Sequence, residues 1–232
     1  MTTGLSSRAF TPGLFAFMRE LREHNDRAWF QDNKDRYERE VKEPALDFVS
    51  DFWPLLHEIS PYFVADPRPV GGSMFRIHRD VRFSKDKSPY KTHVGLHFRH
   101  ELGREAYAPG FYLHLEPRAT FSGAGIWHPD SATLKRVRDA IVADPDRWRR
   151  VIADPAFAAR HRIAGRTLVR PPAGYDRDHP LIEDLKRKDF AATSRLTERA
   201  VTSRGFLEAY AERCREAMPF MAFLCDALGL PC

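Results

Sequence analysis

The sequence predicts one α+β domain over residues 10–228, an antiparallel, meander-like sheet flanked by N-terminal and C-terminal helices. Three observations point to it. Apolar residues recur at helical spacing through the first 60 residues, alternate one by one from residue 73 to 116, and return to helical spacing after residue 130. Helices, then sheet, then helices, with no internal repeat and no low-complexity stretch, describe one core rather than two.

Thr11-Pro12-Gly13 opens the first helix, with a polar N-cap and a proline where its missing N–H costs nothing. Leu14, Phe17, Met18 and Leu21 form its apolar face. His24-Asn25-Asp26 ends it, and Asn25 or Asp26 caps a second helix carrying Trp29, Phe30, Tyr37 and Val41. Pro44 starts a third, which buries Ala45, Phe48, Val49, Phe52, Leu56 and Ile59, with Pro54 a candidate kink. In the segment 75–83 the odd positions Phe75, Ile77, Val81 and Phe83 are apolar apart from Arg79, and the even positions are polar, which predicts a half-buried strand. Val94, Leu96 and Phe98 alternate with His93, Gly95 and His97, and Phe111, Leu113 and Leu115 with Tyr112, His114 and Glu116, so two further strands follow. Thr120 to Ser122 adds a short strand, and Gly123-Ala124-Gly125 reads as a flexible turn. Asp130, Asp144-Pro145 and Asp154-Pro155 start three helices. The first buries Leu134, Val137 and Ile141 and exposes Lys135, Arg136 and Arg138. Residues 170–180 are the most loop-like, before a short helix near 181–188 and a final helix from about Ser203 through Phe206, Tyr210, Met218, Met221 and Leu224.

The chain has 43% hydrophobic and 30% charged residues with a formal charge of +5, an ordinary globular profile. It holds no apolar run of about 18 residues and no signal-peptide core at its start, so the expectation is a cytoplasmic protein with no membrane span. Its 3 cysteines, Cys214, Cys225 and Cys232, argue against a disulfide framework.

Charge is uneven. Residues 76–91 hold Arg76, Arg79, Arg82, Lys85, Lys87 and Lys91 against only Asp80 and Asp86. Such a basic strand and loop converges guanidinium forks and ammonium groups on one phosphate or carboxylate; its alternative is a solvated edge strand whose charges block aggregation. Arg79 falls on the apolar face, where it needs an acidic partner, expected from the N-terminal helices, or a bulge that turns it outward. The polar faces collect the ligand-type residues His78, Asp80, His93, His97, His114 and Glu116, without any compact metal motif, so no metal is assigned. His114 and Glu116, two apart on one strand face, fit a general base with its orienting acid. Tyr90, Tyr107, Phe111 and Tyr112 lie near the basic segment, and with a pI near 9.2 they leave nucleic-acid binding open. Phe75 and Phe83 read as core.

The run from Phe75 to Lys91, Phe-Arg-Ile-His-Arg-Asp-Val-Arg-Phe-Ser-Lys-Asp-Lys-Ser-Pro-Tyr-Lys, resembles the signature of a widespread conserved hypothetical family, a domain of unknown function in bacteria and fungi. Asn25 to Phe30, Tyr112 to Pro117, Ser122 to Trp127, His179 to Ile182 and Lys188 to Phe190 match it too, so the resemblance covers about residues 10–225. That family pattern carries Tyr where this chain has His78 and Gly where it has Ala124, which argues against a ligand role for His78 and a backbone cradle at Ala124. The resemblance implies a single domain; it implies no activity and no cofactor.

Together these features lead to the expectation of an anionic or phosphate-bearing ligand held by Arg76, Arg82, Lys85, Lys87 and Lys91, with Tyr90, His114 and Glu116 at the rim. The alternatives are a hydrolase or phosphoryl-transfer enzyme working through His114 and Glu116, and an interaction module for an acidic partner.

Overall fold

The structure is a computed structural model that describes residues 10–103 and 108–232. Tyr107 lies outside the described residues.

Thr11 leads into α1 (Pro12–Glu23), which buries Leu14, Phe15, Phe17, Met18 and Leu21. Asp26 caps α2 (Arg27–Asp32) by accepting the Trp29 N–H at 2.9 Å. After Asn33, α3 (Lys34–Tyr37) runs through a π-helical turn (Glu38–Lys42) into α4 (Glu43–Ile59), so the second and third expected helices share one helical path. The wider turn comes just before Pro44, where a regular helix would require an N–H that proline lacks. Pro54 stays inside α4 on its exposed side.

The sheet contains β1 (Phe63–Val64), β2 (Val94–His100), β3 (Gly110–Leu115) and β4 (Phe121–Ile126), followed by α5 (Ser131–Ala143), α6 (Pro145–Ala153) and α7 (Pro155–Arg160). Then come β5 (Arg162–Ala164), α8 (Ile182–Leu185), β6 (Phe190–Arg195), α9 (Glu198–Val201) and α10 (Phe206–Leu228). Strand order is β1-β2-β3-β4-β6-β5 and every pair is antiparallel, so the first four strands form a meander within an α+β architecture. Val94, Leu96, Phe98, Phe111, Leu113 and Leu115 are buried, as their alternation predicts. Against that face lie α4 and α10: Phe52 meets Phe98 at 4.7 Å and Tyr210 at 4.9 Å between ring centroids. Trp148 of α6 is fully buried among Phe190, Phe220 and Phe223. Cys214 and Cys225 are buried on α10, and all three cysteines are free.

Several expectations need correction. Residues 75–83 are not a strand. Met74 bridges Leu96 on β2, and the chain then folds back on itself through Arg79 N–H to the Pro89 carbonyl and Lys91 N–H to the Ile77 carbonyl, each at 2.8 Å. A strand needs a neighbour along its whole length, and this segment has one only at its base. Phe83 is therefore 96% exposed and Phe75 41%, rather than core, while Ile77 is buried. Gly123-Ala124-Gly125 is the middle of β4, not a turn. Its small residues let β3 and β6 flank it closely; a Cβ on Gly125, whose φ is +118°, would stand 2.2 Å from the Phe190 carbonyl oxygen. Arg138 is buried, donating to the Arg187 carbonyl at 2.7 Å, and Leu134 is only half-buried. Strands β5 and β6 were not apparent in the sequence.

Among the described residues, no helix is long and apolar enough to cross a membrane.

His161, between α7 and β5, is 3% exposed and stacks on Phe157 with ring centroids 5.1 Å apart. Burial, reinforced by the Arg213, Arg160 and Arg162 charges, pushes its pKa down to about 4. The unfolded chain titrates near 6.5, so it binds a proton that the folded protein refuses between these values. Stability from this group is complete above pH 6.5 and falls as pH drops toward 4, by about 2–3 kcal/mol at pH 4.5. Urea melts at pH 7.5 and 4.5 should show this loss, and His161→Phe should reduce the difference between them.

Candidate functional site

The sheet face turned away from α4 and α10 is half-exposed and chemically rich. Antiparallel register places Gly95 opposite His114 and His97 opposite Tyr112, then His114 opposite Phe121 and Tyr112 opposite Gly123. Glycines at 95 and 123 keep this surface low where the large side chains of β3 cross it. A Cβ on Gly95 would stand 2.6 Å from the Tyr112 hydroxyl, so the glycine is what lets the phenol lie over β2.

On β3 the alternation predicted for Tyr112, His114 and Glu116 becomes a hydrogen-bonded chain. The Tyr112 hydroxyl pairs with His114 Nδ1 at 3.0 Å, and His114 Nε2 pairs with Glu116 Oε2 at 3.0 Å. Arg22, reaching across from α1, donates to Glu116 Oε1 at 2.8 Å. The Phe121 ring stacks on His114 with centroids 4.7 Å apart, and His93, one residue before β2, packs its ring 4.5 Å from the other. His93, His114 and Glu116 can each present a ligand atom such that all three lie within 4.8 Å of one another. His97 packs instead beside Phe75, His78 bridges Tyr90, and Asp80 pairs with Arg82.

The site's protonation is set by burial. Desolvation, with the nearby His114, pushes His93 down to about 4, so it is neutral at physiological pH. Burial and the Glu116 charge push Tyr112 up to about 12, so its hydroxyl keeps its proton. His114 thus joins the Tyr112 hydroxyl on one ring nitrogen to the Glu116 carboxylate on the other. A base oriented by an acid, with a hydroxyl on its other side, is an arrangement suited to proton transfer.

The basic segment separates into two parts. At its base, Lys91 is half-buried; its ammonium donates to the Arg76 carbonyl at 2.7 Å and lies 5.5 Å from the centre of the Phe75 ring, which in turn packs against Tyr112. Burial and then the Arg76 charge push the Lys91 pKa below its ordinary value. At its tip, the charges are occupied within the loop. Arg79 pairs with Asp86 and donates to the Ser88 carbonyl at 3.2 Å, Arg82 pairs with Asp80 at 2.7 Å, and Lys87 donates to the Val81 carbonyl at 3.0 Å. Lys85 is exposed. The acid that meets Arg79 is thus in the same loop, not in the N-terminal helices.

Tyr90 is an anchor rather than a rim residue. Its ring is 6% exposed and stacks on Phe30 at 4.1 Å, while Asn25 brackets its backbone, Nδ2 donating to the Tyr90 carbonyl and Oδ1 accepting its N–H, both at 3.0 Å. The side-chain amide thus acts as a short piece of strand partner.

His93 and Arg22 join the site although neither was among the residues expected to act. His93 carried one signal, since it shares parity with Gly95 and His97; which β3 residue it would meet depends on register. Arg22 carried none, because a helix-to-strand contact 94 residues apart has no local pattern. Elsewhere, a pocket of about 270 Å³ at the β1–β2 edge includes Asp66, Arg68, Gly72 and Arg99, but Arg68 is paired with Asp66 and Arg99 is directed at the Gly71 and Gly72 carbonyls.

No curated protein and no solved structure matched the chain. A family model described as "Conserved hypothetical protein (DUF2461)" matches residues 13–223, a span that takes in every element of the site from Arg22 on α1 to β6. The chain therefore belongs to the conserved hypothetical protein family DUF2461.

Proposed function

We propose that the protein binds a phosphate-bearing or other anionic small molecule at the base of the basic loop, beside the Tyr112–His114–Glu116 chain. One observation carries this reading: Arg76 and Lys91 are adjacent cations, and among the described residues neither forms an ion pair, whereas Arg79 and Arg82 are each matched to an aspartate. Holding two like charges together is unfavourable, and the carboxylate that feels the Arg76 charge, Asp80, is already paired with Arg82. Lys85 and Lys87 at the loop tip are better placed to steer an anion inward than to grip it.

Calorimetric titration of the purified protein with inorganic phosphate and with mono- and dinucleotides, at low and high salt, tests this. A charge-assisted contact contributes about 1.5–3 kcal/mol, so Lys91→Gln or Arg76→Gln should each weaken binding about 10- to 100-fold, and Lys87→Gln much less. Binding that ignores the first two substitutions, or no binding by any anion, sinks the proposal.

The hydrogen-bonded chain on β3 favours a second reading in which the bound anion is hydrolysed or gives up its phosphoryl group, with His114 moving the proton under the orientation of Glu116. Phosphate release from a panel of esters and nucleotides, lost in His114→Gln, would establish it. Binding without turnover leaves the first reading alone.

A further inference from the structure

The sheet face carries a second chemistry that does not depend on the anion. Two imidazoles and one carboxylate converge at the half-exposed end of the β2–β3 pair: His93 just before β2, His114 within β3 and Glu116 just after it, with ligand atoms within 4.8 Å of one another. We propose that these three residues form a divalent transition-metal site of the zinc, iron or manganese class.

The surroundings fit that role on four counts. The donor set, two nitrogens and one oxygen, suits a borderline ion rather than magnesium or calcium, which take oxygen ligands. Both outer positions are already held: Tyr112 is on His114 Nδ1 at 3.0 Å and Arg22 is on Glu116 Oε1 at 2.8 Å. These leave Nε2 of the histidine and Oε2 of the carboxylate as the inward atoms, and outer partners of this kind orient metal ligands and fix their tautomer. His93 packs its ring 4.5 Å from that of His114, so its imidazole has to turn to bring a nitrogen from within 4.8 Å to the separation of about 3.4 Å that ligands about 2.1 Å from a tetrahedral ion require. The half-exposed position also leaves coordination places for water or a ligand, the arrangement of a working site rather than a structural one.

Metal entry rearranges one proton without losing it. The ion takes His114 Nε2 in place of the hydrogen shared with Glu116; that proton moves to Nδ1, where the Tyr112 oxygen accepts it. Three protein ligands then hold the ion, and the remaining coordination places stay open.

The test uses the full chain, stripped with chelator, in buffer free of phosphate. Titration with Zn²⁺, Mn²⁺ and Co²⁺, with Mg²⁺ as control, should give one ion per chain and no response to Mg²⁺. The Co²⁺ complex should show visible absorption of a nitrogen- and oxygen-ligated ion. His93→Gln and Glu116→Gln should abolish the stoichiometric binding, and Tyr112→Phe should weaken it about 10- to 100-fold. Folding of each variant is checked by circular dichroism, and the wild-type Co²⁺ spectrum stands even where a variant fails to fold. No stoichiometric binding by the wild type, or binding that survives both ligand substitutions, overturns the proposal. The anion test reads Lys91 and Arg76 and this one, on anion-free protein, reads His93 and Glu116, so either can fail alone.

Discussion

Gly125→Ala is expected to prevent the native sheet from forming. The position lies in the middle of β4 with φ at +118°, a backbone region that L side chains rarely occupy, and an added Cβ would stand 2.2 Å from the Phe190 carbonyl oxygen, 2.9 Å from the Ala191 Cα and 3.0 Å from the Phe220 ring. The first two are backbone atoms of the paired strand β6, so relief requires pulling the central β4–β6 ladder apart. Strain of about 1–3 kcal/mol from the dihedral alone adds to the ladder's loss, for a total of about 5 kcal/mol or more. In a chain of this size each kcal/mol moves the melting temperature by about 2–4 °C, so the variant should melt at least about 10 °C lower or fail to accumulate as folded protein. A melting temperature within 3 °C of wild type would mean that β4 and β6 are not paired in this register.

The second large effect is expected at Asp189. This carboxylate is fully buried just before β6 and accepts the backbone N–H groups of His128 at 2.8 Å and Arg166 at 2.9 Å, tying the chain after β4 to the chain after β5. Burial alone would raise its pKa, but those two N–H groups and the neighbouring Arg166 and His128 charges outweigh it and hold it below the ordinary carboxylate range. Asp189→Ala removes two hydrogen bonds to a charged, buried acceptor, worth about 1.5–3 kcal/mol each, a loss of about 3–6 kcal/mol. Asp189→Asn keeps one acceptor and points an amide N–H toward the other donor, so it should lose less than the alanine variant. Denaturant melts of the three proteins settle the order; equal stability of wild type and alanine variant would show that these bonds are not made in solution. Since a lowered folded pKa contributes stability present above the unfolded value and lost as pH falls through the folded one, wild type and Asp189→Asn should converge in acid.

Much of the fold was legible where local chemistry decides. Asp26, Asp130, Asp144 and Asp154 each cap the helix that follows, and the side chain of each accepts a backbone N–H as expected. The faces of β2 and β3 followed from alternation, because one side meets α4 and α10 and the other does not. β6 hid itself for the opposite reason: Phe190, Ala191 and Ala192 are buried in succession, so no period of two is written in it. The segment 75–83 shows the converse, a period of two with no sheet behind it, its alternation broken by pairing with its own returning limb. Within the site, His114 and Glu116 were recoverable because their spacing on one strand is a local property. Their convergence with His93 is not, since it depends on which residue of β3 faces the start of β2.

The bracket that Asn25 places around the Tyr90 backbone also has a kinetic meaning. It joins residues 65 apart, while the Ile77–Lys91 pairing beside it closes within the loop. The loop therefore acquires its last constraint only after the N-terminal helices have docked, and its native contacts should be largely absent at the folding barrier. Weakening it by Asn25→Ala should leave the refolding rate nearly unchanged and speed unfolding. In that case the basic loop would be the part of the molecule whose lifetime, rather than whose formation, is set by a single side-chain amide.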